Sequence, residues 1–158
     1  MGYITAIGTA NPAHRFSQSI IAEFMLRAMK LNNGDSRRLK TIFRASGIEY
    51  RHSVLEDYGK VKDFTFYADS VDLKPFPGTE KRLQVFRQHA LSLSLAAFKN
   101  MVQTYPGLEV NDITHVIVVC CTGMYAPGLD VDLVNALKLP STVQRTAINF
   151  MGCHAAFN

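Results

Sequence analysis

The sequence predicts an α/β layered domain in which strands alternate with helices. Three observations carry this. The run Ile113 to Cys121 has almost no polar interruption and is rich in β-branched residues, the pattern of a central parallel strand covered on both faces. Leu83, Phe86, Ala90, Leu93, Ala97 and Met101 recur at spacings of three and four, which paints one face of a long helix. Strand-like and helical patterns also follow one another along the chain, with no internal repeat.

Taken in order, Tyr3 to Ile7 reads as a short buried strand that breaks at Gly8-Thr-Ala-Asn-Pro12. Ser17 or Ser19 then precedes Ile20, Ile21, Phe24, Met25, Ala28 and Met29, a helix face that Asn32-Asn33-Gly34 should end. A basic helix is expected from Ser36 to Ala45, stopped by Ser46-Gly47, and a strand from Ile48 to Val54. Residues 55–78 show weak periodicity and close on Pro75-Phe-Pro-Gly78, so they read as a long irregular connection. Thr79 is placed to cap the long helix and Glu80 to favour its positive end, with Tyr105-Pro106-Gly107 closing it. After the Ile113–Cys121 strand come a loop at Gly123–Gly128, a short helix at Asp130–Lys138 and a strand at Val143–Phe150. Met151-Gly-Cys153 then looks like a turn opening another helix.

Composition narrows the function classes. The 158 residues are 47% apolar and 19% charged, which excludes a disordered, collagen-like or low-complexity chain. The longest apolar runs are far too short to span a bilayer, and no basic region followed by an apolar stretch opens the chain. A soluble, cytoplasmic protein without membrane partners is expected. Seventeen Lys and Arg against thirteen Asp and Glu give a net charge of +4, with Arg37, Arg38, Lys40, Arg44 and Arg51 clustered. Such a cluster suits a small anionic ligand; a nucleic-acid surface would show a longer stripe with stacking aromatics. Three cysteines, two of them neighbours, make a poor disulfide framework, and no Cys or His spacing suggests a metal. Gly8-Thr-Ala-Asn-Pro12 lacks the dinucleotide-binding fingerprint.

Cys153 sits where a buried strand should end and a helix begin. A helix N-terminus favours thiolate over thiol, and small Gly152, Ala155 and Ala156 allow a sharp turn and close approach of substrate. That is the logic of a nucleophile elbow. The competing reading is a small core-filling cysteine, the commoner fate of a buried thiol. His154 is a poor base for it, since the next residue along a helix points about 100° away. His89 and His115 read as structural histidines within a helix and a strand, and His14 and His52 as surface residues in or near loops. The Arg37–Arg44 cluster is either a solvated helix face or a phosphate grip.

Several segments, in order and at the expected separations, resemble one family. Ile7-Gly-Thr-Ala-Asn-Pro12, Arg87-Gln-His-Ala90, Ile113-Thr-His through Pro127-Gly128, and Gly152-Cys153-x-Ala155 are similar to the N-terminal half of type III polyketide synthases, the chalcone and stilbene synthase family, with bacterial members the nearer match. The resemblance implies a thiolase-like fold, of which residues 1–158 would form the N-terminal half of a layered α-β-α-β-α architecture. It implies that Cys153 accepts an acyl group from coenzyme A and that malonyl-CoA then extends the chain by decarboxylative Claisen condensation. It places Arg38, Lys40 and Arg44 in the region that grips coenzyme A. Arg44 is supported further by Phe43-Arg-Ala-Ser-Gly-Ile48, which resembles the 3-oxoacyl-acyl-carrier-protein synthase III family.

By the same resemblance Cys121 matches a pocket-lining position. Ala126 stands where plant enzymes carry a Met that reaches into the partner subunit's site, so a roomier pocket is expected. No permanently bound cofactor is implied, only coenzyme A thioesters as substrates, and the full-length enzyme would be a homodimer. Relatives complete the site with a His and an Asn from a C-terminal half. Because the chain stops one turn into an apolar segment, it is expected to be a truncated domain and by itself inactive. Two alternatives are a synthase III-like single condensation with an acyl-carrier protein, and a non-catalytic fragment.

Overall fold

The computed structural model describes residues 2–121 and 123–157, with the backbone alone at positions 153 and 155. The described residues are mixed helix and strand and divide into two compact units, Asn11–Gly78 and a second unit made of the first ten residues with Thr79 onward.

In the Asn11–Gly78 unit, β1 (His14–Ser17) pairs antiparallel with β2 (Tyr50–Ser53), Arg15 opposite His52. His52 thus falls within the strand expected over Ile48–Val54, and His14 opens a strand that was not expected; the His52 ring also lies 3.1 Å from the Pro12 carbonyl oxygen. Helix α1 (Gln18–Met29) opens on Ser17, whose hydroxyl accepts from the Ile20 N–H, and buries Ile21, Ala22, Phe24 and Ala28. It ends at Lys30 in the left-handed conformation, not at Asn32-Asn33-Gly34. Asn32 instead caps α2 (Asn33–Ala45), its side-chain oxygen accepting from the Asp35 N–H at 2.9 Å, so α2 starts three residues earlier than expected. An Asn near a Gly serves equally as a stop or a start; the bond from the Asp35 N–H to the Asn32 side chain decides it.

The irregular connection is organised by one residue. Asp57, in a short 3-10 turn (Asp57–Gly59), is fully buried. Its carboxylate accepts from the backbone N–H of Thr65, Phe66 and Tyr67 and from the Thr65 hydroxyl, at 2.8 to 3.0 Å. The folded-back segment sends Phe64, Tyr67 and Leu73 against Phe24 and Ala28 of α1. Arg27 closes the arrangement, donating to the Lys60 and Val61 carbonyls with its guanidinium over the Phe24 and Phe64 rings.

In the other unit, Tyr3–Ile7 is not a strand. It has no regular structure, with Tyr3 and Ile4 more than 80% exposed, and no strand among the described residues pairs with it. Gly8 packs so close to α3 (Thr79–Thr104) that a Cβ there would lie 2.1 Å from the Ala97 carbonyl oxygen. Thr79 is the first residue of α3 itself. Strand β3 (His115–Cys120) passes through α4 (Leu129–Leu137) to β4 (Gln144–Asn149), which lies parallel to it with Val118 opposite Ala147 and Cys120 opposite Asn149. Parallel pairing was expected of β3, but cover on both faces was not met: Ile117 is 64% exposed. In this two-stranded sheet both strands are edges, and the described residues cover the Val118–Cys120 face.

Candidate functional site

The chemistry-bearing residues fall in both units. In the unit that contains Thr79 onward, side chains two apart on a strand share a face, and paired residues of parallel strands lie side by side. Val118 and Cys120 of β3, with Ala147 and Asn149 of β4, therefore make one continuous floor. Phe86 of α3 and the Gly123–Gly128 loop wall it in, leaving a cavity of about 290 Å³. Ala126 lines this cavity, but Cys121 does not; the thiol that does is Cys120, whose sulfur accepts from the Gly123 N–H at 3.3 Å. The alternation within β3 was the available signal for Cys120.

Gly123 is buried under the Phe86 ring, where a Cβ would come within 2.3 Å of the ring carbons. Gly123→Ala should therefore push Phe86 off the cavity wall and cost about 1–3 kcal/mol, read as a lowered Tm. An unchanged Tm would show that the ring is free to move.

Beyond the floor, β4 turns sharply. Phe150 donates its N–H to the Cys120 carbonyl and adopts φ 61; Gly152 follows at φ 82. Left-handed backbone is unusual for a residue such as Phe and marks a tight, over-determined turn. Cys153 is the next residue and begins a 3-10 turn, Cys153–Phe157. Up to the last described residue, the segment that Cys153 opens is a 3-10 turn and not yet an α-helix. The side chain of Cys153 lies outside the described residues. The His154 ring folds back over Gly152, within 3.0 Å of where a Cβ would sit.

His89 is half-buried in α3, and His115 lies exposed in β3 with its ring 2.8 Å from the Thr114 hydroxyl. Among the described residues no cluster of three or more Cys, His, Asp or Glu could hold a metal, and no helix is long and apolar enough to cross a membrane.

In the Asn11–Gly78 unit, α1 and α2 enclose a groove of about 380 Å³ lined by Lys40, Phe43, Arg44 and Ile48. Lys40 is held by Glu23 at 2.7 Å. Arg38 is two residues from Lys40, about 200° round the helix. It pairs with Asp35 at 3.3 Å, and its side chain is 82% exposed. The structure therefore brings Lys40 and Arg44 together and leaves Arg38 apart. Gln18, which the sequence did not single out, is buried at the groove floor. It accepts from Arg51 Nε at 2.9 Å and donates to Ser46 Oγ at 3.1 Å, tying the end of α2 to β2.

Comparison with known proteins gives a consistent result. Residues 1–158 match the family described as chalcone and stilbene synthases, N-terminal domain. The chain is 26% identical over 155 residues to an alpha-pyrone synthesis polyketide synthase-like protein of Mycobacterium tuberculosis, covering 98% of this chain and 37% of that protein. It is 30% identical over 159 residues to the bisdemethoxycurcumin synthase of Oryza sativa, covering 96% and 37%. Among solved structures it resembles PKS-I of the brown alga Ectocarpus siliculosus, with a TM-score of 0.82 and 30% identity over 98% of this chain and 41% of that one.

Proposed function

The chain belongs to the chalcone and stilbene synthase family as its N-terminal domain, with a thiolase-like fold and a place among the polyketide synthases, and on that premise we propose that it supplies the acyl-loading half of an acyltransferase. In this reading the Cys153 thiolate attacks the carbonyl of an acyl-CoA, the coenzyme A thiolate leaves, and an acyl-cysteine remains. Malonyl-CoA then loses carbon dioxide, and its carbanion attacks the acyl-cysteine carbonyl. Cys153 is released as thiolate, and the longer chain stays on coenzyme A, ready to load again.

The observation that supports this best is the turn after β4, where Phe150 and Gly152 reverse the chain and leave Cys153 first in the following turn. The chain spans 37% of the length of the first relatives it matches, so condensation is proposed for the whole protein, with a His and an Asn from outside these residues. On this reading the whole protein is a cytoplasmic homodimer acting on coenzyme A thioesters, with neither nucleic acid nor membrane as partner.

Intact mass of the full-length protein after brief incubation with an acyl-CoA panel tests the loading step. An acyl mass on the Cys153 peptide is expected, and its absence with every thioester would leave the fragment reading. Extension from malonyl-CoA, without carrier protein, separates this chemistry from that of a 3-oxoacyl synthase III.

Coenzyme A recognition is assigned to the groove. With Lys40 and Arg44 both changed to Ala, the KM for acyl-CoA should rise about tenfold with kcat held, whereas Arg38→Ala should change it less than about twofold. A truncated thioester lacking the nucleotide phosphates should not distinguish these variants. An Arg38 effect equal to that of the pair would move the grip to the outer face of α2.

A further inference from the structure

The Gly123–Gly128 loop, which walls the cavity and carries Ala126, has one side chain that ties it to both neighbouring helices. The Tyr125 ring lies against Phe86 of α3 at 6.2 Å and beneath the Arg87 guanidinium at 5.5 Å. Its hydroxyl donates to Asp132 Oδ2 of α4 at 2.5 Å. Two residues earlier Asp130, also on the cavity wall, pairs with Arg145 of β4 at 2.7 Å. The start of α4 is thus fixed to the sheet, and the Tyr125 phenol fixes the middle of the loop to α4, beyond the backbone bond from Asp132 to Gly128.

We propose that Tyr125 and Asp132 form a latch that sets the width of the cavity and so the size of acyl group it admits. The pair act as positioning residues, through the loop and Ala126, and this deepens the acyl-transfer reading on which it rests. Burial, the hydrogen bond to Asp132 and the Asp132 charge together push the Tyr125 phenol up to about 12. It therefore stays a neutral donor through the working pH range, and the latch does not open by titration. With Phe in place of Tyr125 the ring contacts with Phe86 and Arg87 survive while the tie to Asp132 is lost. Asp132→Asn keeps an amide oxygen that can accept the same proton; Asp132→Ala keeps nothing.

Cys120 on the cavity floor provides a readout that does not depend on turnover. In the full-length protein, the rate of Cys120 alkylation by iodoacetamide, localised by fragment-ion mass spectrometry, should rise about fivefold in Tyr125→Phe and in Asp132→Ala. Asp132→Asn should stay near the parent rate. With a series of acyl-CoAs, the two opened variants should show a lower KM for the longer chains and an unchanged kcat for the short ones. Cys121 does not line the cavity and serves as the control. Equal acceleration at both thiols would mean general loosening and would overturn the latch, as would an unchanged Cys120 rate. A faster Cys120 with unaltered chain preference in an active enzyme would overturn its role in selectivity. Should the parent protein transfer no acyl group at all, the acyl-transfer reading fails, while the alkylation rates still judge the latch.

Discussion

Cys153→Ala in the full-length protein is expected to lose acyl transfer by about a millionfold, the scale on which removing a covalent nucleophile acts. The argument is chemical as well as positional. A thioester carbonyl is an acceptor matched to sulfur: the incoming and leaving groups are both thiolates, so the tetrahedral intermediate can collapse in either direction without a strong base. Cys153→Ser would keep nearly the same size but would require an alkoxide. It should therefore also fail to turn over, leaving at most a trace of stable ester. Acyl-CoA binding should survive both changes, because the groove assigned to coenzyme A lies in the Asn11–Gly78 unit and contains no part of the Cys153 turn. Intact mass and a thermal-shift titration with a non-hydrolysable acyl-CoA separate the two effects. If Cys153→Ala still gained an acyl group, the nucleophile would have to be sought at the other two thiols, Cys120 and Cys121.

Much of the fold was legible because it rests on local pattern. The spacing of Leu83, Phe86, Ala90, Leu93, Ala97 and Met101 outlines α3 within a few residues, and Ser17 marks the start of α1 through a hydrogen bond made three residues away. The β-branched run likewise located β3 and its parallel partner. What pattern could not supply is cover and long-range pairing. The residues Tyr3 to Ile7 have the composition of a strand, yet a strand exists only where another chain segment accepts its hydrogen bonds.

The candidate site was legible to a similar degree. Lys40 and Arg44 share a groove as a helical face requires, while Arg38 falls on another side because two residues are more than half a turn. Cys120 was not singled out, although alternation along β3 puts it beside Val118, with Asn149 and Ala147 on the facing strand. Tyr125 and Asp132 are seven residues apart across a loop and a helix start, and no periodicity joins them. Asp57 was hardest to see. An aspartate in a polar connection looks like any solvated charge until the backbone of residues 65–67 folds back onto it.

That residue gives the largest expected effect on stability. Asp57→Ala should destabilise the Asn11–Gly78 unit by about 3–5 kcal/mol, since three backbone N–H groups and the Thr65 hydroxyl lose their acceptor. Phe66, buried beside it, leaves little room for water to substitute. Asp57→Asn retains one acceptor oxygen but presents an amide N–H₂ towards groups that are themselves donors, so it should recover less than half of the loss.

The same geometry fixes the pH dependence. Burial alone would raise the Asp57 carboxyl, but the donations from the Tyr67, Thr65 and Phe66 backbone and the Thr65 hydroxyl outweigh it and hold it below the ordinary carboxylate value. A carboxyl whose folded pKa is depressed contributes its full stabilisation above the unfolded value, near 3.8, and loses it as pH falls through the lower folded value. Acid should therefore unfold the parent protein more steeply than Asp57→Asn, whose amide does not titrate. Urea melts of both proteins at neutral pH and at about pH 3 read this as a gap in midpoint that narrows on acidification. A gap that stayed constant would mean that the backbone of residues 65–67 is held by its own packing and that the Asp57 charge contributes nothing to holding it.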